Sequence, residues 1–445
     1  MLVETHSTIS ASEVHPTIRK YMLGDGFPLV LDMQKSQGIY LHDRLQDKRY
    51  VDFFTFFASN PLGMNHPKLR YDEEFKERLM EAALNKISNS DVFTEYMARF
   101  VDTFGRVGIP SYLPHLFVID GGALAVENAL KTAFDWKVRK NFQKGYRYEK
   151  GHKVLHFEQA FHGRSGYTMS LTNTDPNKVA LFPKFDWCRV TNPKANVPLT
   201  AQNLPAIIQH EKLAIAQIKQ HIAENPDDIA ALIIEPIQAE GGDNHFRPEF
   251  FHSLRHLADE NEFLLIFDEV QTGVGLTGTF WMHEQIGVQP DILAFGKKMQ
   301  TCGILASDRI LEVQDNVFQK PSRINSTWGS NLTDMVRADR ILEVIEEDML
   351  LKNAEIVGNH LYSQIEALAN EFDVITNPRG RGLMCAFDLP SSTLRNRLHE
   401  QCYENGLIIL GCGEKTIRFR PALTINEQGI NEGLDILSHS LHEIM

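Results

Sequence analysis

The stretch Asp291–Gln300, DILAFGKKMQ, holds a short apolar run, Ile292–Phe295, that stops at Gly296 and then offers Lys297 and Lys298. A strand buried on both faces has no structural need for an amine at its end. The pair is either a solvated surface feature or a lysine kept inside for chemistry. A neighbouring apolar run, Phe263–Phe267, delivers Asp268 and Glu269 to the same edge. A carboxylate there is costly unless a cation or hydrogen-bond donors meet it. Glu269 is expected to open the loop or cap the next helix, whereas Asp268 is set against Lys297. Farther back, His115–Asp120 (HLFVID) runs through Gly121, Gly122 and Ala123 into a helix. Glycine lets backbone approach a ligand, and free N–H groups at a helix start favour an anion. The same glycines would serve a plain strand–helix turn equally well.

An amine, an acid and an anion seat at the ends of neighbouring strands together describe pyridoxal 5′-phosphate. The lysine would form the Schiff base, the acid would keep the pyridine nitrogen protonated, and the helix start would hold the phosphate. Gly296 would free the backbone so that Lys297 reaches the ring. Gly273-Val-Gly275-Leu-Thr-Gly278 fits the dinucleotide pattern G-x-G-x-x-G. DEVQ separates it from the strand, however, and no helix opens at its glycines, so a loop turn is expected. His252 and His256 share a helix face at i, i+4 but lack an HExxH context, and a solvated face is expected with no metal. Cys302 is read as a small core residue.

These positions need a scaffold, and the middle of the chain supplies one. Apolar strand candidates at His115–Asp120, Lys153–Phe157, Ile229–Ile237, Phe263–Phe267 and Ile292–Phe295 alternate with helical patterns. The helices are marked by Val126, Ala129, Leu130, Ala133 and Phe134, by Ile215, Ile218 and Ile222, and by Phe250, Leu254, Leu257 and Ala258. Continuous apolar strands between helices imply an α/β fold with a mostly parallel sheet covered on both faces. Ligands of such sheets gather at the carboxyl ends of strands. Residues 1–75 and 330–445 are expected to build a small α+β domain from both termini, and 76–329 the large domain. GCGEKTIRFRP reads as a hairpin with Gly411 and Gly413 in its turn. The last helix is expected to open on a capping box, Thr424-x-x-Glu427, with Ile430, Leu434, Leu437 and Leu441 on one stripe.

Bulk properties exclude other classes. In a chain of 445 residues a formal charge of −13 argues against a nucleic-acid partner, which would want a basic face. Its five cysteines are widely spaced, with no CxxC, so neither a disulfide framework nor a thiolate metal site is indicated. The opening MLVETHSTIS has no basic and apolar leader pattern, and apolar runs are too short for a membrane span. A cytoplasmic location is expected.

Several longer stretches carry a resemblance. SNPLGMNHP, SNSDVFTEYMARFVDTFG, GGALAVENALKTAFDWK, AFHGRSGYTMSLTNT, FPKFDW, GGDNHFRPEFF, DEVQTGVGLTG, AFGKK, NSTWGSNLTDMVR and NPRGRGLMCAF resemble class III aminotransferases, pyridoxal-phosphate enzymes of fold type I. The resemblance runs from Gly24 to Pro421, and within the class it is to lysine 6-aminotransferases. It implies Lys297 as the Schiff-base lysine, Lys298 as an auxiliary charge and Asp268 on the pyridine nitrogen. It implies Gln271 on the ring hydroxyl, Phe161 stacked on the ring, and Gly122 and Ala123 at the phosphate. Ser326 and Thr327 would reach the phosphate from a neighbouring subunit, which implies a homodimer with shared active sites. The implied substrates are L-lysine and 2-oxoglutarate. Arg164 would bind the lysine α-carboxylate and Asn325 would line the substrate site. Arg420 would take a carboxylate of the diacid, with Glu240 pairing Arg420 until the diacid displaces it. GGALAVENA stands where related ornithine and 4-aminobutyrate enzymes usually carry a Ser-Gly-(Ser/Thr)-Glu-Ala loop, and one departure from the pattern is Ala239, where glycine is common. Another ω-aminotransferase, an aminomutase or racemase of the same fold, and a non-catalytic binding protein stand as alternatives.

Overall fold

The computed structural model describes residues 9–445, so most of the opening stretch in which no leader was expected lies outside the described residues. A short helix, Ala11–Arg19, precedes an antiparallel pair, β1 (Tyr40–Asp43) and β2 (Lys48–Asp52). The central sheet then uses β3 (His115–Ile119), β4 (Lys153–Phe157), β5 (Cys188–Val190), β6 (Ile229–Ile234), β7 (Leu264–Asp268), β8 (Ile292–Phe295) and β9 (Cys302–Ala306). Their spatial order is β3-β9-β8-β7-β6-β4-β5. Strands β4 to β8 are parallel, and β9 runs antiparallel to both of its neighbours.

Side-chain alternation explains why these strands read as unbroken apolar runs. Leu265, Phe267, Leu293 and Phe295 enter one core, while Leu264, Ile266, Ile292 and Ala294 enter the other. Helix Gly122–Gln143 covers the second face through Val126, Ala129, Leu130 and Ala133. Helices Leu204–Glu224 and Pro248–Glu260 cover the first through Ile218, Phe250 and Leu254. The α/β architecture expected from the sequence is therefore found, with two strands that it did not mark, β5 and β9. Cys302, expected in the core, is buried at the start of β9.

The C-terminal part adds helices Leu332–Glu347 and Leu350–Glu371 and the strands β10 (Thr376–Arg381), β11 (Met384–Asp388), β12 (Leu407–Ile408), β13 (Leu410–Cys412) and β14 (Thr416–Phe419). A four-stranded sheet has the order β10-β11-β14-β13. β12 instead pairs parallel with β2, Leu407 opposite Val51, so segments from both ends of the chain share one small sheet. The hairpin expected at GCGEKTIRFRP forms, but Gly411 sits inside β13 opposite Ile417 and only Gly413 (φ +52°) takes the turn. The last helix, Glu427–Ile444, is capped by Asn426, whose side chain accepts from Gly429 N–H at 2.9 Å. Thr424 is not the cap, because its hydroxyl donates to the Leu62 carbonyl. Ile430, Leu434, Leu437 and Leu441 are buried as the stripe required. Among the described residues no helix is long and apolar enough to cross a membrane.

Candidate active site

Four strand ends converge on a cavity of about 440 Å³. β8 ends at Gly296, where an added Cβ would lie 2.8 Å from Cys302 Sγ, so close packing demands glycine. The unusual backbone belongs to the next residue: Lys297 has φ +50°, left-handed for a non-glycine. That turn aims its side chain into the cavity. Burial pushes the Lys297 amine down to about 8, with Arg418 and Arg420 adding to the shift and Asp268 and Glu235 opposing it. Lys298 turns the other way and donates to the Gln271 carbonyl at 2.7 Å and to that of Ala58 at 3.4 Å. Burial, then Lys297 and Arg420, hold its amine well below the ordinary lysine value. It is a buried donor bracing the loop rather than the auxiliary charge expected of it.

β7 contributes Asp268, which lines the same cavity. Its Oδ2 lies 2.8 Å from His162 Nδ1, and Oδ1 accepts from Val270 N–H at 3.1 Å. Glu269 is fully buried and braces the loop that follows, accepting from Thr272 Oγ1, from Met282 and His283 N–H, and from the His283 ring. This matches the cap expected of it. Gly273–Gly278 lies in that loop with no helix opening at its glycines.

β3 leads through Gly121 (φ +92°) into helix Gly122–Gln143, which no side chain caps. Gly122 and Ala123 line the cavity, and the first-turn N–H groups of a helix have no intrahelical acceptor. A Cβ on Gly122 would come within 3.0 Å of Val270. Phe161, Arg164 and Gln271 also line the cavity. Arg164 is exposed and makes no ion pair among the described residues. Asn325, Ser326 and Thr327 do not line it. They lie on a loop tied by the Ser326 carbonyl to Ser90 Oγ and by the Thr327 carbonyl to Ser88 Oγ, with Asn325 and Thr327 exposed.

The expected ion pair between Glu240 and Arg420 is not formed. Arg420 is fully buried and bonds Asp243 through both terminal nitrogens (2.9 and 2.5 Å) and Gln271 Oε1 through Nε (3.0 Å). Glu240 pairs instead with Arg418 Nη2 at 2.7 Å and with Lys178 Nζ at 2.5 Å. Burial would raise the Glu240 carboxyl, but Arg418 and Lys178 outweigh it and hold it below the ordinary value. Arg418 lies in β14 and Arg420 one residue past its end, two residues apart and so on the same side of an extended segment. Their spacing alone does not tell them apart. Arg420 is spent on positioning: with Gln271 Oε1 engaged, the amide NH₂ of Gln271 is left to face the cavity.

His162, Glu235, Val270 and Lys178 also belong to the site or its wall, and the sequence pattern assigns none of them a role. Glu235 was hidden because the expected strand ran to Ile237, whereas β6 ends at Ile234. Pro236 lacks an N–H for the ladder, a signal that was available. Glu235 accepts from Phe161 N–H at 2.9 Å and Ala239 N–H at 3.1 Å, and burial pushes its carboxyl up to about 7.

Comparison with known proteins gives the family. The model of aminotransferase class III matches residues 23–441. The chain is a class III aminotransferase. Among relatives, the L-lysine-epsilon aminotransferase of Mycobacterium tuberculosis is 53% identical over 429 residues, covering 96% of this chain and 95% of that protein. That of Streptomyces clavuligerus is 48% identical over 435 residues, covering 97% and 95%. The structure of lysine aminotransferase from M. tuberculosis in the internal aldimine form superposes with a TM-score of 0.96 at 52% identity, covering 98% of this chain and 100% of that one. The cofactor of this aminotransferase is pyridoxal 5′-phosphate. The residues present fit it, with an uncapped helix start for the phosphate, an amine of lowered pKa, a buried carboxylate and an oriented amide around one cavity. Among the described residues no group of metal ligands is found, and His252 and His256 are exposed.

Proposed function

We propose that this class III aminotransferase transfers the terminal amino group of L-lysine to 2-oxoglutarate. The products are 2-aminoadipate 6-semialdehyde, which cyclises to piperideine-6-carboxylate, and L-glutamate. One observation carries the reading: the cavity offers an open arginine, Arg164, while Glu240, which also lines it, covers a second arginine, the buried Arg418. A donor with an amine at one end and a carboxylate at the other suits Arg164 and leaves the masked cation alone. A guanidinium takes a carboxylate bidentately. 2-Oxoglutarate brings two carboxylates and needs both arginines. The names of the relatives at 48–53% identity agree.

Pyridoxal phosphate, when bound, withdraws electrons from the carbon that carries the transferred nitrogen. The chain supplies the rest. Gly122 and Ala123 N–H groups would hold the phosphate, Phe161 would stack on the ring, and Gln271 would donate to the ring oxygen. Asp268, held by His162, would keep the ring nitrogen protonated. Lys297, with an amine near 8, moves a proton between substrate carbon and cofactor carbon as general base and acid. In this reading the enzyme is a cytoplasmic homodimer in which Ser326 and Thr327 of one subunit complete the phosphate site of the other, and Asn325 lines the substrate site. Residues 76–329 form its large domain, and 1–75 with 330–445 its small one.

The test is a panel of amines (lysine, ornithine, 4-aminobutyrate, diaminobutyrate) supplied with 2-oxoglutarate, with glutamate quantified and the aldehyde trapped. Lysine is expected to react fastest. Equal or better turnover of ornithine would overturn the donor assignment.

A further inference from the structure

Glu240 stands on a wall between two cavities. It lines the one that contains Lys297 and also a neighbouring one of about 570 Å³. Arg418, 2% exposed, lines neither. Among the described residues only Nη2 of its guanidinium is bonded, and Nε and Nη1 are buried without an acceptor. A ligand carboxylate therefore reaches Arg418 only after Glu240 has moved. A half-buried carboxylate that leaves its only cation is left uncompensated, and the move would be opposed.

Lys178 changes that balance. Its Nζ holds Glu240 Oε1 at 2.5 Å while Arg418 Nη2 holds Oε2 at 2.7 Å, so each carboxylate oxygen has its own cation. Lys178 belongs to the wall of the second cavity and not to that of the first. Released from Arg418, Glu240 keeps a partner and has space on that side. We propose that Lys178 is the retained partner of Glu240 that lets it swing off Arg418, and so sets how readily the site accepts a dicarboxylic amino acceptor. Lys178 is a positioning residue that acts through Glu240. The inference rests on the reading above, in which 2-oxoglutarate needs Arg418 and the amine donor does not.

Holoenzymes carrying Lys178→Met and Lys178→Arg test it by following the cofactor absorbance in each half-reaction separately. Lys178→Met should raise the half-saturating concentration of 2-oxoglutarate about fivefold, because Lys178 compensates Glu240 more strongly once Arg418 no longer shares the carboxylate, and that of lysine by less than about twofold. Lys178→Arg should restore the wild-type value. In a Glu240→Ala background, Lys178→Met should add nothing. An unchanged 2-oxoglutarate value in Lys178→Met would overturn the proposal. So would an effect that persists without Glu240, because Lys178 also lies 5.4 Å from the Phe161 ring and would then be acting through that contact. The 2-oxoglutarate half is read alone, from enzyme loaded with the aminated cofactor, so a wrong amine donor leaves this test intact.

Discussion

Lys297 combines a left-handed backbone with an amine whose pKa is pulled down by burial and two arginines. Left-handed non-glycine residues cost about 1–3 kcal/mol and persist where the surroundings enforce them. The consequence is a pH dependence with a definite sign. Below about 8 the amine is protonated and does not attack an aldehyde; above it the free base predominates. Cofactor uptake by the apoprotein should therefore accelerate as pH rises through about 8, rather than near the ordinary lysine value. Stopped-flow absorbance across pH 6–10 checks this, and a flat profile or an inflection above about 10 would contradict it. Lys297→Ala should bind no cofactor covalently and lose nitrogen transfer. The two neighbouring arginines should separate cleanly. Arg418→Gln is expected to weaken 2-oxoglutarate about tenfold or more while the fold stays intact, because one substrate carboxylate loses its charged partner. Arg420→Gln leaves Asp243 buried and unpaired, and should cost about 3–5 kcal/mol of stability as read by urea denaturation.

At the level of elements, the central sheet could be read from the sequence because burial on both faces makes every position of a strand apolar. Leu264 through Phe267 alternate between two cores, and both demand the same residue types. Strand ends were less legible. β6 stops one residue before Glu235 because the chain leaves the ladder there, and Ile237 beyond it is buried for other reasons. β9 escaped notice because CGILA is short and contains a glycine that must sit where its Cβ would strike the Phe117 carbonyl at 2.1 Å. Helix starts depend on which oxygen meets which N–H. Asn426→Ala should therefore destabilise the protein by about 1 kcal/mol in chemical denaturation. A tighter constraint lies where helix Leu350–Glu371 crosses the β10–β11 turn. A Cβ at Gly358 would be 2.1 Å from the Gly382 carbonyl carbon, backbone against backbone. Gly358→Ala should cost about 3 kcal/mol or more by the same measurement.

For the whole molecule, β12 pairing with β2 ties the C-terminal part to the N-terminal segment, and Arg420 N–H bonds the Phe53 carbonyl at 2.8 Å. The arginine pair and Gln271 are thus set by contacts between distant parts of the chain. Sharing of sites between subunits has its own test. Two inactive variants, Lys297→Ala and a Ser326→Ala/Thr327→Ala double, should regain about a quarter of wild-type activity when refolded together. In a mixed dimer one site would receive both defects and the other neither. No recovery would leave each chain with a self-contained site.

The α/β class, the lysine after β8, the aspartate that ends β7 and the glycine-led helix were all legible in local pattern. A strand's facing and its end are written in a handful of adjacent residues. The partner of Glu240 was not. Arg418 and Arg420 are only two residues apart, and the packing of the β14 segment against Asp243, Gln271 and Glu240 assigns Arg420 to bracing and leaves Arg418 with two buried donors that have no acceptor among the described residues. Lys178 joins that group from 62 residues before Glu240, a separation that no motif spans. Electrostatic pairing depends on distance in space, and spacing along the chain does not encode it.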